Sequence, residues 1–275
     1  MKFDMHTHTK EGSLDAKAEL VSIARKLKEK GFQGMLITDH NSYKGYQMWE
    51  YVKEKYKDLE DFVILKGIEY DTVDGGHILV VLPDQVHCKL LELRGMSVKK
   101  LEELVHGLGG ILGPAHPYGT GFFALMHNWY VQRHLDIIPK FDFIESFNSC
   151  SDKIANKLAK ELAARYKKPE FAGSDAHHLR NLGTAFVEFT DNITCNNDLI
   201  RAIRRRQGIY AGSCEDDIEW NEPNRIIRWM GIVGYWIYNK FGSLMYAYSR
   251  IKTQRQYKHT VVYQDKEMEN NEYGY

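Results

Sequence analysis

Short apolar runs alternate with helical periodicity through most of the first 212 residues. Lys2–Met5 reads as a strand. The stretch from about Leu14 to Lys30 reads as a helix, with Leu20, Ile23, Ala24 and Leu27 on one face and Gly31 as its stop. Strands follow at Gln33–Thr38, Phe62–Ile68, His77–Leu82, Gly110–Gly113, Asp142–Phe147, Phe171–Ala172 and Ala185–Phe189. Helical patterns fall at Tyr43–Tyr56, Val98–His106, Lys153–Tyr166 and Leu199–Arg206. Repeated βα units predict an α/β protein with a mainly parallel sheet, open or closed into a barrel. Such folds gather their chemistry beyond the carboxyl ends of the strands, so functional residues should follow the apolar runs.

The rhythm stops near Cys214. Ile226–Tyr248 is rich in aromatics, with Trp229, Tyr235, Trp236, Tyr238, Phe241, Tyr246 and Tyr248. Its uninterrupted apolar part, Trp229–Tyr238, falls far short of the roughly 18–20 residues needed to span a bilayer. One account is a helix packed on the main domain or on a second copy. The other is an interfacial amphipathic helix at a membrane, flanked by Arg225, Arg228, Lys240, Arg250 and Lys252. From about Gln254 the chain is polar, and a flexible tail is expected. The expected organisation is a main domain at 1–214, a helical extension at 215–253 and a tail at 254–275.

Composition narrows the class only a little. Lys+Arg and Asp+Glu both number 37, a balance that disfavours a general nucleic-acid binder. Cys88, Cys150, Cys195 and Cys214 form no CxxC pair, so neither a zinc knuckle nor a disulfide framework is indicated. The N-terminus has no secretory apolar region, and a cytoplasmic location is expected, with peripheral membrane contact as the variant.

The twelve histidines matter through their placement. Strand one ends in Asp4-Met5-His6-Thr7-His8, strand two in Thr38-Asp39-His40-Asn41, and strand three in Gly67-Ile68-Glu69. The run at 111–113 ends in Pro114-Ala115-His116-Pro117, Phe143-Ile144 ends in Glu145, and Phe171-Ala172 ends in Gly173-Ser174-Asp175-Ala176-His177. His77 instead opens its strand, after Gly75-Gly76. In an extended segment residues i and i+2 point the same way, so His6 with His8, and Asp175 with His177, can face one ion together. Imidazoles mixed with carboxylates, without a thiolate set, favour a cluster of hydrolytic ions over a structural zinc. Singly, each of these could be a loop cap or a buried, hydrogen-bonded histidine; their joint position at strand ends argues otherwise.

This ordered set, His6-Thr7-His8, Thr38-Asp39-His40-Asn41, Gly67-Ile68-Glu69, Gly76-His77, Ala115-His116-Pro117 and Gly173-Ser174-Asp175-Ala176-His177, resembles the polymerase-and-histidinol-phosphatase (PHP) superfamily over roughly 1–212. The resemblance implies a distorted (β/α)7 barrel, here with a helical C-terminal extension, and two or three divalent ions (zinc, manganese or iron). It implies a first ion held by His6, His8, Glu69 and Asp175, a second by Glu69, His77 and His116, and a third by His40 and His177 with one more ligand. Relatives carry that last ligand where this chain has Ser13; Glu11 is the expected substitute, with Asp15 as the alternative. His40 and His177 are candidate proton donors, Asp39 a candidate orienter of a ligand histidine, and Arg180 a candidate phosphate contact. Glu145 is either a support for a ligand or a buried acid. The expected activity is hydrolysis of phosphate esters on a small phosphorylated substrate by metal-activated hydroxide. The alternatives are a nuclease-type phosphodiesterase, with nucleic acid disfavoured by charge, and a catalytically silent scaffold.

Overall fold

The computed structural model describes residues 1–214, 225–245 and 247. Strands β1 (Lys2–Thr7), β2 (Gly34–Ile37) and β3 (Val63–Asp71) pair in parallel, and β4 (His77–Val81) and β5 (Ile111–Pro114) continue the sheet antiparallel. On the other side of β1 lie β8 (Ala185–Phe189) and β9 (Ile209–Ser213), giving the order β5-β4-β3-β2-β1-β8-β9. The parallel pair β6 (Ile144–Asn148) and β7 (Glu170–Gly173) fills the gap between β5 and the carboxyl end of β1. Asp142 N donates to Leu112 O at 2.9 Å on one side, and Asp175 N donates to His6 O at 2.8 Å on the other. The sheet is therefore curled into a distorted barrel of seven staves, β1–β7, with β8–β9 as an antiparallel flap.

The sheet is more mixed than the βα rhythm predicts. The loop from Asp71 to His77 is too short for a parallel crossover, so β3 and β4 must form a hairpin. Thr72 locks that turn: its Oγ1 accepts from Gly75 N at 2.9 Å and donates to Gly76 O at 2.6 Å. Gly76 sits at φ +72, where any side chain would also strike the backbone of Phe123. The reversal explains why His77 precedes its strand: the amino end of β4 lies beside the carboxyl end of β3.

Helices α1 (Leu20–Glu29), α2 (Lys44–Val52), α3 (Val98–Gly107), α5 (Lys153–Tyr166) and α6 (Asn196–Arg205) follow the predicted patterns, and α4 (Trp129–Arg133) is a short addition. Helix α1 starts six residues later than its apolar pattern suggests, because residues 9–19 form a loop over the barrel mouth. Two apolar layers pack between sheet and helices, and a third, including Phe3, Met5, Leu79, Phe143 and Phe171, fills the barrel. Phe143 and Phe171 stack with centroids 3.7 Å apart. Gly173 lets β7 approach β1, since a Cβ there would lie 2.2 Å from His6 Cβ. Helix α7 (Arg225–Met245) falls within the expected helical extension. The expected boundary after 214 and the expected tail at 254–275 adjoin or lie outside the described residues. No helix among the described residues is long and apolar enough to cross a membrane.

Candidate metal centre

The carboxyl ends of β1, β2, β3, β5 and β7, with the amino end of β4, converge on one buried cluster. His6, His8 and Glu69 are all essentially inaccessible to solvent. His6 Nε2 lies 3.2 Å from His8 Nε2, 3.3 Å from Glu69 Oε2 and 3.4 Å from Asp175 Oδ1. His8 Nε2 lies 3.2 Å from the same Glu69 oxygen and 3.0 Å from the same Asp175 oxygen. Five of the six edges between these four atoms thus measure 3.0–3.4 Å. A tetrahedral ion with ligand bonds of about 2.0–2.1 Å requires edges of about 3.4 Å. The five edges lie close to that requirement.

Glu69 faces two ways. Its other oxygen, Oε1, is 2.9 Å from His77 Nδ1 and 3.0 Å from His116 Nε2, a second group of candidate ligands. A third group forms where the loop after β1 meets the turn after β7. His177 Nε2 is 3.2 Å and His40 Nε2 3.6 Å from Asp15 Oδ2, and His8, His40 and His177 also offer ligating atoms within 4.8 Å of one another.

Backbone conformation contributes to the placement. Asn41, His116 and Asp175 all adopt positive φ, at 47°, 30° and 51°, where residues other than glycine are strained. Two of the three are candidate ligands and the third follows His40. Among the described residues, the other positive-φ residues that are not glycine, Lys167 and Arg206, cap the carboxyl ends of α5 and α6.

Supporting residues orient the donors. Glu145 Oε1 accepts from His6 Nδ1 at 2.9 Å, which leaves His6 Nε2 facing the cluster. Glu145 Oε2 accepts from His116 N at 2.6 Å and from Asn148 Nδ2 at 3.1 Å. The same Asn148 amide donates to Asp175 Oδ2 at 3.2 Å. Asp39 acts at one remove: it accepts from Thr9 N, Thr9 Oγ1 and Ser13 Oγ at 2.7, 2.8 and 3.0 Å. The Ser13 oxygen in turn accepts from His40 N at 3.1 Å and lies 3.3 Å from His8 Nδ1. Asp39 therefore holds the loop that carries Ser13, rather than a ligand histidine directly.

The electrostatics follow from crowding these groups out of water. Burial disfavours any charge here, yet His77, His6 and His40 around Glu69 hold its carboxyl well below the usual range. Burial likewise opposes protonation of His6, but Asp175, Glu145 and Glu69 raise it well above the ordinary imidazole value. His40, partly buried but facing Glu69 and Asp71, is pushed up to about 9. Each group of one sign is held in its charged form by the other, which is the charge pattern a cation would replace.

The structure brings together His6, His8, His40, Glu69, His77, His116, Asp175 and His177. It does not bring Glu11. That carboxylate accepts from Leu20 N with both oxygens at 3.2 Å, capping α1, because the loop turns it away from the mouth. Asp15 occupies the place expected for Glu11. Arg180 is exposed on a 3-10 turn at Leu179–Asn181 and is not among the residues lining the cavity over the cluster, though its charge acts on Cys150, which does line it.

Two residues escaped the sequence reading. Asp71 Oδ1 lies 3.4 Å from His40 Nδ1 and 3.3 Å from His77 Nε2. Asp71 stands two residues beyond Glu69 on β3, so the same-face rule that paired His6 with His8 finds it. Asn148 left no comparable signal, since its role depends on the β6–β7 register.

A PHP-domain family model matches residues 4–170, and a PHP-associated model matches 153–207. An uncharacterized protein of Methanocaldococcus jannaschii is 27% identical over 172 residues, covering 59% of this chain and 94% of that protein. Among solved structures, PsfC from Pseudomonas syringae is similar with a TM-score of 0.57 at 13% identity, covering 85% of this chain and 98% of that one. A putative metal-dependent phosphoesterase from Bifidobacterium adolescentis is similar with a TM-score of 0.53 at 15% identity, covering 74% and 96%. With the family model spanning more than half of its length and the donors converging at the strand ends, the chain belongs to the PHP family.

Proposed function

We propose that this chain, a PHP-family metal-dependent hydrolase, cleaves phosphate esters of small molecules with two or three divalent ions. The observation that carries the reading is the near-tetrahedral spacing of His6 Nε2, His8 Nε2, Glu69 Oε2 and Asp175 Oδ1. His6, His8, Glu69 and Asp175 would hold one ion, and Glu69, His77 and His116 a second. His40, His177 and Asp15 would hold a third. The imidazole-rich donor set suits zinc, manganese or iron. Such ions supply a water of lowered pKa and neutralise the non-bridging oxygens of a phosphoryl group.

The protein's own groups shape the rest. The cavity over the cluster has a volume of about 260 Å3 and is bordered by Thr120, Phe123, Asn148, Cys150 and Ser151. That volume suits a small molecule. No lysine or arginine lines it among the described residues, so an anionic substrate depends on the cations for charge neutralisation. A groove for a nucleic-acid backbone would present basic side chains, which favours the small ester over a nuclease. His177 would serve in proton transfer when the third position is open. Its Nδ1 is held by Asp175 O at 2.9 Å, its Nε2 lies 3.2 Å from Asp15 Oδ2, His177 and Asp15 both line the cavity, and Asp15 and Asp175 raise its pKa against the opposing effect of burial.

A panel of phosphomonoesters and phosphodiesters with manganese, zinc and iron tests this reading. The wild type is expected to turn over at least one monoester, and His8→Ala and Asp175→Asn to lose that activity together with bound metal. Undiminished activity in both variants refutes the metal mechanism. A metal-loaded wild type inert on every substrate favours the silent-scaffold reading.

A further inference from the structure

Among its described residues, helix α7 meets the barrel through Lys240, Tyr238 and Gly242. Lys240 Nζ donates to Val73 O at 3.2 Å, and the Arg94 guanidinium lies over the Tyr238 ring at 3.5 Å from its centroid. Gly242 packs against Arg94 so closely that a Cβ there would strike its side chain. On the opposite side Met230, Ile237, Phe241, Leu244 and Met245 are each more than half exposed, and Trp229 is exposed at the amino end. At 100° per residue those five form one stripe along the helix. A run of large apolar side chains turned to water needs an occupant.

Charge identifies it. Between Pro223 and Gln264 the chain has no acidic residue, while it carries Arg225, Arg228, Lys240, Arg250, Lys252, Arg255 and Lys258. The whole chain is neutral, so the rest bears the seven compensating negative charges. A second copy docking through the same stripe would set one basic segment against another, with no acid in either to relieve the repulsion. A nucleic acid would satisfy the charge but leave the aliphatic stripe of Met230, Ile237, Leu244 and Met245 in water. An anionic lipid surface satisfies both, taking the apolar stripe into its interface and the cations against its headgroups. Trp229, Trp236 and Tyr238 are residue types that favour that boundary. At 21 residues α7 is about 31 Å long, yet too polar to span.

We propose that the segment around α7 docks the protein on anionic phospholipid bilayers, with the helix lying in the interface. Binding is tested on the full chain by co-sedimentation with phosphatidylcholine vesicles with and without about one-third phosphatidylserine. The wild type is expected to partition at least roughly tenfold more strongly onto the anionic vesicles and to be released by about 0.5 M salt. The surface variant Ile237→Glu/Phe241→Glu is expected to lose binding while keeping its metal content, circular dichroism and catalytic rate on soluble substrate. A second variant, Arg250→Glu/Lys252→Glu/Arg255→Glu, leaves the stripe intact and is expected to lose the preference for anionic vesicles. Equal binding by the wild type and the stripe variant overturns the proposal. Three further outcomes overturn it: absence of wild-type binding to either vesicle, a dimer that the stripe substitutions dissociate without any vesicle binding, and binding to single-stranded DNA alone.

Discussion

Glu145→Gln is a nearly isosteric change whose effect can be worked out atom by atom. The carboxylate accepts three hydrogen bonds, from His6 Nδ1 at 2.9 Å on one oxygen and from His116 N and Asn148 Nδ2 at 2.6 and 3.1 Å on the other. A glutamine must replace one of those oxygens with an NH2. If the amide nitrogen takes the Oε2 position, it meets two donors, one of them a backbone N–H that cannot turn away. Asn148 cannot relieve this by flipping, because the same amide donates to Asp175. If the nitrogen takes the Oε1 position, it forces His6 Nδ1 to accept, and the imidazole proton moves to Nε2, the nitrogen that faces Glu69 and Asp175. The first arrangement leaves buried donors facing each other, at a cost of about 1–3 kcal/mol to the folded state. The second satisfies the metal-free site, where His6 Nε2–H donates to Glu69 and Asp175, but puts a proton on the nitrogen that would face an ion. Loss of such a support weakens metal affinity or activity by roughly 10–100-fold, or about 1.4–2.7 kcal/mol. Competition with a chromophoric chelator reads the affinity, and kcat/KM at saturating metal reads the remaining effect. Wild-type metal affinity in a folded Glu145→Gln protein would refute the claim that Glu145 sets the His6 tautomer.

Three further outcomes are expected. Asp15→Ala should lower total bound metal while Glu11→Ala keeps it and loses only about 1 kcal/mol of stability as a missing helix cap; equal metal content in the two variants contradicts the placement of Asp15. Burial raises Asp4 from 3.8 to about 6, so the folded state holds its proton more tightly and gains stability that is present below pH 3.8 and lost as pH rises through 6. In metal-free protein the stability gap between wild type and Asp4→Asn should therefore shift by about 2 kcal/mol between pH 4 and 7, and parallel denaturation profiles would exclude the shift. Phe171→Ala, which removes half of the stacked pair inside the barrel, should cost about 3–5 kcal/mol by chemical denaturation, and a loss under 1 kcal/mol would mean the barrel interior collapses to fill the gap.

Much of the site is legible in the linear chain because strands are short and donors follow them directly. His6, His8, Glu69, His116 and Asp175 stand at the ends of apolar runs, and a parallel arrangement of those runs brings their ends to one rim. Where donor position depends on local backbone, the linear pattern misleads. Glu11 and Asp15 lie in one polar loop, and only the turn of that loop onto α1 decides that the first caps a helix while the second faces His177. His77 opens its strand rather than following it, and only the β3–β4 hairpin, by reversing β4, brings it to the same rim.

Periodicity and residue order thus specify the elements, the ligand types and the end of the barrel where they gather, since these depend on neighbours within a few positions. The distances that make five histidines share one buried carboxylate belong to the folded state alone. So do the Asp39–Ser13 relay and the Asn148 bridge between Glu145 and Asp175. Each joins residues from different strands or loops, and their meeting is set by sheet register and barrel closure, which no short stretch of sequence encodes.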